Sequence, residues 1–399
     1  MGKRDLSKSE RISVEHAVEY IDLLLRGWKS VNRKEKEGDP RLPTLVFKEE
    51  PYVVRIFFER SNVFEISLRG RMSLTCWEKI SLVVLTAVGL RIVIRGSLLA
   101  WRKLIAPNLG LGIDLTTQGR WAVITGATDG LGKAFAKALA SKGLDIVLVS
   151  RSLPKLENVA AEINKQYGVE TRVIEADLTE GQAVYAKIAK ATEELEVGVL
   201  INSAGVSYEY PEFFTNVSEE TMSNIIKLNV AGVTGVTKVI LPGMMERRKG
   251  VLINISSTAG TIPSPYLAVY AASKAYINKL SADLAAEAAP NGVTVQCVLP
   301  GPVATKMSKI KKPSWMAPSA DKFVEATLKT VGIESETTGY PPHSLILGFI
   351  SMLRCMCEKG AVWLVAKTML NIRGRALRKK MKPPGEVKEV SKRDGPFSG

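Results

Sequence analysis

Two residue types that build many catalytic and metal sites are scarce in this chain of 399 residues. It has two histidines, His16 and His343, and four cysteines, none of them in a CxxC pair. Cysteines without paired spacing predict no disulfide framework and suit a reducing compartment. The histidines and cysteines have no zinc-ligand spacing, so no metal site is predicted. So few histidines also nearly exclude a histidine-based catalytic triad.

The sequence also lacks a low-complexity tract, a secretory leader and a basic central domain. Its opening run, MGKRDLSKSERIS, is polar and predicts no signal peptide. Although the formal net charge is +15, residues 121–298 carry 16 positive and 18 negative charges. The basic excess lies in residues 71–120 and 299–399, so nucleic acid is not an expected partner. Basic residues beside apolar segments favour a membrane surface, with solubilising tails as the alternative.

The first hundred residues form two segments. Residues 1–70 are expected to be an extension of unknown role, with an amphipathic helix in SVEHAVEYIDLLLRGW and a strand-like segment in PYVVRIFFERSNVFEISLRG. Residues 74–104 are expected to be a membrane anchor or an interfacial helix, because residues 80–90 are apolar and uncharged. Trp77 and Trp101 flank this run, and the basic residues behind it predict a cytosol-facing domain after it.

The middle of the chain alternates between strand and helix patterns. The apolar runs WAVIT, DIVLVS, TRVIEA, VGVLIN, GVLINIS and VTVQCVL are separated by helical stretches. This alternation predicts an α/β domain over residues 115–335, with a Rossmann-type, doubly wound parallel sheet. Residues 336–380 are expected to form an apolar and basic C-terminal segment, and residues 381–399 a disordered tail.

A glycine-rich turn, TGATDGLG, joins the first of these strands to a helix. In this context glycines let the backbone approach a pyrophosphate at the helix N-terminus. The residues of the turn expected to bind the cofactor are Gly126, Thr128, Asp129, Gly130, Leu131 and Gly132. Arg151 follows the next strand, where sites that prefer NAD carry an acid. Its guanidinium predicts binding of the 2′-phosphate of NADPH, with an ordinary surface arginine as the alternative.

Two later strand ends add to the predicted cofactor site. Asp177 follows the third strand and is expected beside the adenine. The fourth strand ends in NSAG, whose small residues let a cofactor pass close to the backbone. Asn202, Ala204 and Gly205 of this segment are therefore expected at the cofactor.

The segment YAASK places Tyr270 and Lys274 on one face of a helix. A phenol has a pKa of about 10, and a neighbouring ammonium is expected to lower it. Ser257 ends the preceding strand, where its hydroxyl would donate to a substrate carbonyl. Asn229 is expected to hold a water that links Lys274 to solvent. Tyr270 and Lys274 taken alone also fit an ordinary pair on a helix surface.

Together, TGATDGLG, NSAG, LNVAG, ISS, YAASK and PGPVAT resemble the short-chain dehydrogenase/reductase family over about residues 119–330. The resemblance implies that Tyr270 donates the proton, that Lys274 holds the nicotinamide ribose and that Ser257 orients the carbonyl. It also implies a proton relay through Asn229. Within PGPVAT, the resemblance places Val303 and Thr305 beside the nicotinamide carboxamide, with NADPH/NADP as cofactor.

Longer segments, such as SYEYPEFF and VLPGMMERRKG, resemble a subgroup of very-long-chain 3-oxoacyl-CoA reductases and 17β-hydroxysteroid dehydrogenases. This implies reduction of a 3-oxoacyl-CoA in fatty-acid elongation at the endoplasmic reticulum membrane, with a steroid ketone as the alternative substrate. A catalytically silent NADPH-binding scaffold is a third hypothesis. A second copy of the chain and other elongation enzymes are candidate partners. The lysines at 306, 309, 311 and 312 fit a coenzyme A phosphate or a solvated loop equally well.

Overall fold

The computed structural model describes residues 53–58, 62–67 and 76–381. The first two ranges are strands β1 (Val53–Phe58) and β2 (Asn62–Ser67). They pair antiparallel from Val53 opposite Ser67 to Phe58 opposite Asn62, in agreement with the strand-like pattern. The amphipathic helix expected near residues 14–28 and the tail from residue 382 lie outside the described residues.

Helix α1 (Cys76–Ala100) coincides with the predicted anchor segment and continues into a π-helical turn, Trp101–Ile105. Its window Ser81–Leu98 has a mean hydropathy of 1.7 and none of it is buried. By length and composition this helix is able to cross a membrane. The segment Glu219–Glu246 meets the same criterion, but 39% of it is buried.

A parallel sheet of seven strands forms the centre of the α/β domain. In chain order its strands are β3 (Trp121–Thr125), β4 (Asp145–Ser150), β5 (Thr171–Glu175), β6 (Val197–Asn202), β7 (Gly250–Ile255), β8 (Val293–Val298) and β9 (Glu336–Thr337). The spatial order is β5-β4-β3-β6-β7-β8-β9. Every predicted strand of the domain is present, and the short β9 was not predicted.

Helices cover both faces of this sheet. One face packs against α2 (Gly130–Ala140), α3 (Leu153–Tyr167) and α8 (Ala320–Leu328). The other packs against α4 (Gln182–Thr192), α6 (Val233–Glu246) and α7 (Ala268–Ala288). The short helix α5 (Glu219–Ile225) precedes α6. Because strand side chains alternate between faces, Ile124 enters the first core and its neighbour Val123 the second. The predicted Rossmann-type, doubly wound fold is therefore confirmed.

The strand order reverses between β3 and β6, which are neighbours in the sheet although two strands, β4 and β5, lie between them in sequence. Chain connections leave this point in opposite directions, so a crevice opens at the carboxyl ends of the two strands. The glycine turn follows β3, and the NSAG segment follows β6. The topology thus brings together two motifs about 75 residues apart in sequence.

The C-terminal segment contributes to the fold. It begins with β9, whose residues pair with Cys297 and Val298 of β8, so the sheet extends past residue 335. Two helices follow, α9 (Pro341–Met356) and α10 (Glu358–Met381). His343 on α9 and Ala361 on α10 are fully buried. This segment had been expected only as short apolar and basic pieces.

Candidate active site

A cleft of about 490 Å³ lies at the carboxyl edge of the sheet, on both sides of the β3–β6 switch point. Its volume is within the range of small-molecule sites, roughly 300–1,000 Å³. Most of the predicted site residues line it: Gly126, Thr128, Asp129, Gly130, Leu131, Gly132, Arg151, Asp177, Ala204, Gly205, Ser257, Tyr270, Lys274, Val303 and Thr305. Asn202 and Asn229 do not line it.

The glycine turn brings the backbone against its neighbours. Gly126 has a φ of 67°, and a Cβ atom there would lie 2.9 Å from Cα of Ala204. Asp129 caps α2 by accepting a hydrogen bond of 2.8 Å from the amide of Gly130. The N-terminus of α2 therefore opens into the cleft, where its free N–H groups favour a phosphate.

One end of the cleft combines a cation with a hydrogen-bonded carboxylate. Arg151 is exposed, and within the described residues it has no ion-pair partner. The Asp177 carboxylate accepts hydrogen bonds from Thr179 N at 3.0 Å and Thr179 Oγ1 at 2.8 Å. Burial raises the pKa of Asp177, but these hydrogen bonds and the charge of Arg151 outweigh it, so the pKa falls below its usual value. The guanidinium is thus available to an anionic group at the cleft edge.

The side chains of Ser257, Tyr270 and Lys274 meet at the other end of the cleft. Tyr270 and Lys274 lie on α7, and Lys274 is only 5% exposed. Its Nζ atom donates to the carbonyl of Ile255 at 2.9 Å and lies 5.8 Å from the centroid of the Tyr270 ring. Ser257 is the N-cap of a short 3-10 turn, where its hydroxyl accepts a hydrogen bond of 3.2 Å from the amide of Ala259, and it is close enough to the phenol of Tyr270 to influence its pKa. These residues had been predicted as one group, and the fold brings them together.

The protonation of this group differs from the expectation. Burial raises the pKa of Tyr270, and the nearby Ser257 hydroxyl only partly opposes this effect. Burial also lowers the pKa of Lys274 to about 8. The expected lowering of the phenol pKa by Lys274 is not seen: desolvation is the largest effect on this pKa, and Ser257, not Lys274, is the group that lowers it. The phenol is protonated at neutral pH, which is the form that a proton donor requires.

The lowered pKa of Lys274 predicts a stability effect of Lys274→Met. Between pH 8 and 10.5 the unfolded chain binds more protons at this lysine than the folded chain, so stability rises with pH there. Below pH 8 the buried charge costs up to about 3 kcal/mol, from 1.36 kcal/mol per pKa unit. Because the variant also loses the hydrogen bond to Ile255, part of this gain is cancelled. We therefore expect the free energy of unfolding at pH 7 to rise by about 1–2 kcal/mol.

Denaturant unfolding at pH 7 and pH 10 measures this effect. The gain should be largest at pH 7 and should shrink towards pH 10, because the wild-type lysine is then neutral. A loss of stability at both pH values would contradict the expectation. The variant should also lose turnover, so stability and activity move in opposite directions.

The side chains of Asn202 and Asn229 hydrogen-bond within the protein and do not line the cleft. The Asn202 amide points into the sheet, where it donates to Thr237 Oγ1 and Asn254 Oδ1, both at 2.9 Å. Asn229 lies in a π-helical turn, Ile226–Gly232, and is completely buried. Its side chain accepts from Val206 N at 2.8 Å and donates to Val206 O and to Ser273 Oγ. Its side-chain amide therefore ties the loop that follows β6 to α7.

His343 is a residue at this site that the sequence pattern did not reveal. Its Nδ1 accepts a hydrogen bond of 3.1 Å from the amide of Gly301, and its Nε2 lies 3.0 Å from Pro302 O and 3.2 Å from Met316 O. Burial lowers its pKa, outweighing these backbone contacts, so the ring is neutral with its proton on Nε2. The ring joins both ends of the loop that carries Val303 into the cleft. Because the contact spans about 40 residues, no local motif indicates it.

Replacing His343 by Leu removes the acceptor for Gly301 and the donor for Pro302 and Met316. We expect stability to fall by about 1–3 kcal/mol and the dissociation constant for NADPH to rise about tenfold, because the loop loses its fixed position. His343→Asn, which keeps an acceptor near Nδ1, should recover part of the affinity. Fluorescence titration with NADPH measures the change.

Thr327→Val serves as the control, since Thr327 is buried and bonds Phe323 O in α8 without lining the cleft. It should lose stability and keep NADPH affinity. If the His343 and Thr327 variants lost affinity equally, the loop contacts of His343 would have no specific role.

A model of the short chain dehydrogenase family matches residues 120–314. A very-long-chain 3-oxoacyl-CoA reductase from Anas platyrhynchos is 47% identical over 289 residues, which cover 72% of this chain and 90% of the relative. The human inactive hydroxysteroid dehydrogenase-like protein 1 is 42% identical, with 68% of this chain and 82% of the relative covered. A solved short-chain dehydrogenase from Sphingobium yanoikuyae, in complex with NADPH, is 26% identical with a TM-score of 0.51, covering 67% of this chain and 98% of its own.

The fold and the cleft are those of a dinucleotide-dependent oxidoreductase, with a phosphate-binding turn at one end and a tyrosine–lysine pair, whose lysine is buried, at the other. The chain belongs to the short-chain dehydrogenase family.

Proposed function

We propose that the chain reduces long-chain 3-oxoacyl-CoA to 3-hydroxyacyl-CoA with NADPH, as a step of fatty-acid elongation. The observation that carries the proposal is the meeting of Ser257, Tyr270 and Lys274 in the cleft that the glycine turn also lines. The identity of 47% with a relative named for this reaction supports the substrate class. The three side chains are present together, which favours an enzyme over a silent scaffold.

NADPH, when bound, supplies the hydride that reaches the carbonyl carbon. The Ser257 hydroxyl would donate to the carbonyl oxygen, where negative charge develops. The phenol of Tyr270, whose pKa burial raises, would give its proton to the same oxygen. Lys274 would hold the nicotinamide ribose. Once Tyr270 has given up its proton, the positive charge of Lys274 would also stabilise the resulting phenolate.

The cofactor is assigned to NADPH because of the charges at the cleft edge. Arg151 follows β4, where an acid would accept a ribose hydroxyl, and it is free of ion pairs among the described residues. A guanidinium matches a phosphate with two parallel hydrogen bonds. Asp177, the turn from Gly126 to Gly132 and the pair Val303 and Thr305 complete the residues that would hold the cofactor.

We place the chain on the endoplasmic reticulum membrane, with its catalytic domain facing the cytosol. Helix α1 is long and apolar enough for an anchor, with Arg91 and Arg95 inside its apolar window, and it is followed directly by Arg102 and Lys103. Basic residues of this kind stay on the cytosolic side of a membrane. Other enzymes of fatty-acid elongation or a second copy of the chain are the partners we propose there.

In the decisive experiment, the purified full-length chain is incubated with NADPH and a long-chain 3-oxoacyl-CoA and, separately, with NADPH and a steroid ketone. Oxidation of NADPH at 340 nm with the thioester supports the proposal. Turnover of the steroid alone would make the chain a hydroxysteroid dehydrogenase. Binding of NADPH without turnover of either compound would make it a scaffold, and the relative named inactive makes this outcome informative.

A further inference from the structure

A second pocket, which we call the lysine pocket, adjoins the cofactor cleft. It has a volume of about 670 Å³ and is more open than the cleft. Both are lined by Asp129, Gly130, Thr305 and Lys306, so only the glycine turn and the loop after β8 separate them. A ligand in the cleft that extended past Lys306 would therefore reach this pocket.

The lysine pocket is strongly basic. The lysines that line it come from α2, from the loop after β8 and from α10: Lys133, Lys137, Lys306, Lys309, Lys311 and Lys379. Asp129 and Asp321 are the acidic residues of its lining, which leaves a net charge of +4. Three separate parts of the chain thus contribute cations to one concave surface, which focuses positive potential there.

The acidic partners of these lysines leave part of the charge available. Lys133 and Lys137 share Glu162, Lys306 pairs with Asp129 at 2.6 Å, and Lys309 pairs with Glu209 at 3.3 Å. The Lys306 and Asp129 side chains are 85% and 50% exposed, and exposed pairs of this kind contribute little.

Lys311 and Lys379 have no ion-pair partner within the described residues. A polyanion is therefore able to bind these two lysines directly and to displace the Asp129 carboxylate from Lys306.

We propose that the lysine pocket binds the phosphorylated nucleotide of a coenzyme A thioester. The nucleotide of coenzyme A carries a 3′-phosphate and a pyrophosphate, so a pocket with six lysines complements it. The pantetheine arm would run along Lys306, Met307 and Ser308, which line the cleft beside the residues assigned to the cofactor, with the thioester at Ser257 and Tyr270. This inference rests on the proposed function, since it names where that substrate is held. A steroid, which lacks phosphate, would gain nothing from the pocket.

The test compares two thioesters of the same 3-oxoacyl group, one of coenzyme A and one of N-acetylcysteamine, which lacks the nucleotide. In the variant Lys311→Glu with Lys379→Glu we expect KM for the coenzyme A thioester to rise at least tenfold. The kcat, KM for NADPH and KM for the N-acetylcysteamine thioester should stay unchanged. The matched control, Lys142→Glu with Lys249→Glu, changes two exposed lysines that do not line the pocket.

Direct binding separates this inference from the proposed function. Adenosine 3′,5′-bisphosphate should bind the full-length chain in calorimetry. It should compete with the coenzyme A thioester but not with NADPH. Its affinity should fall in the Lys311 and Lys379 variant. If neither thioester is reduced, the proposed function fails while this binding still tests the pocket.

Several results would overturn the inference. An unchanged KM for the coenzyme A thioester in the Lys311 and Lys379 variant would overturn it. A rise of KM for NADPH alone would also overturn it, because the lysines would then bind the 2′-phosphate of the cofactor. Loss of binding to phosphatidylserine vesicles with unchanged kinetics would assign the two lysines to the membrane surface instead.

Discussion

Replacing Tyr270 by Phe should lower kcat for the 3-oxoacyl-CoA by a factor of roughly 10²–10⁴, which is the usual contribution of a general acid. The substitution removes one hydroxyl from a side chain whose pKa burial raises and which lines the cleft together with Ser257. A phenyl ring fills the same space, so the cleft should keep its shape. We expect the dissociation constant for NADPH to change less than threefold, as measured by fluorescence titration, while stopped-flow absorbance at 340 nm records the lost turnover.

Tyr276→Phe provides a control on the same helix. Tyr276 is 38% exposed, and its hydroxyl bonds Thr234 Oγ1 at 2.9 Å, away from the cleft. Loss of this hydroxyl should leave kcat unchanged. Turnover that survived in the Tyr270 variant at the wild-type rate would show that the proton comes from another group, and the mechanism would have to be reassigned.

The sequence was sufficient for the sheet and for most of the cleft because local patterns encode them. Five of the six longer strands of the α/β domain are β-branched, apolar runs, which are typical of strands buried on both faces. The edge strand β5 carries Arg172 and Glu175 and is only partly buried. The site motifs follow strand ends, and parallel strands bring those ends to one edge. The sequence therefore predicts that one cleft contains the glycine turn, Arg151, Asp177 and the group of Ser257, Tyr270 and Lys274.

Side-chain direction and long-range contacts could not be predicted in this way. Asn202 lies one residue before the cleft-lining segment, and a shift of one residue in a strand turns a side chain to the other face. His343 reaches Gly301 from a helix about 40 residues later. The raised pKa of Tyr270 depends on burial, which several distant segments produce together. The sequence shows the charge of Lys274 one helical turn from the phenol but does not show this desolvation.

Replacing Arg151 by Leu should lower kcat/KM for NADPH by about 10–100-fold and leave kcat/KM for NADH nearly unchanged. The guanidinium is exposed at the cleft edge, and its partner would be the 2′-phosphate that NADH lacks. Charge-assisted hydrogen bonds contribute about 1.5–3 kcal/mol each, which corresponds to this range of ratios. Because the interaction is with a group remote from the hydride, the effect should appear in KM and much less in kcat.

Helix α3, which begins two residues after Arg151, supplies a control. Lys165 on α3 is exposed and does not line the cleft, so Lys165→Leu removes an equal charge from the same face of the sheet. It should leave the preference for NADPH over NADH intact, whereas Arg151→Leu should nearly abolish it. An equal loss with NADPH and NADH in the Arg151 variant would mean that the guanidinium supports the cleft in general. The choice of cofactor would then rest on other residues, of which Ser150 and Thr128, joined at 3.2 Å beside it, would be the next to replace.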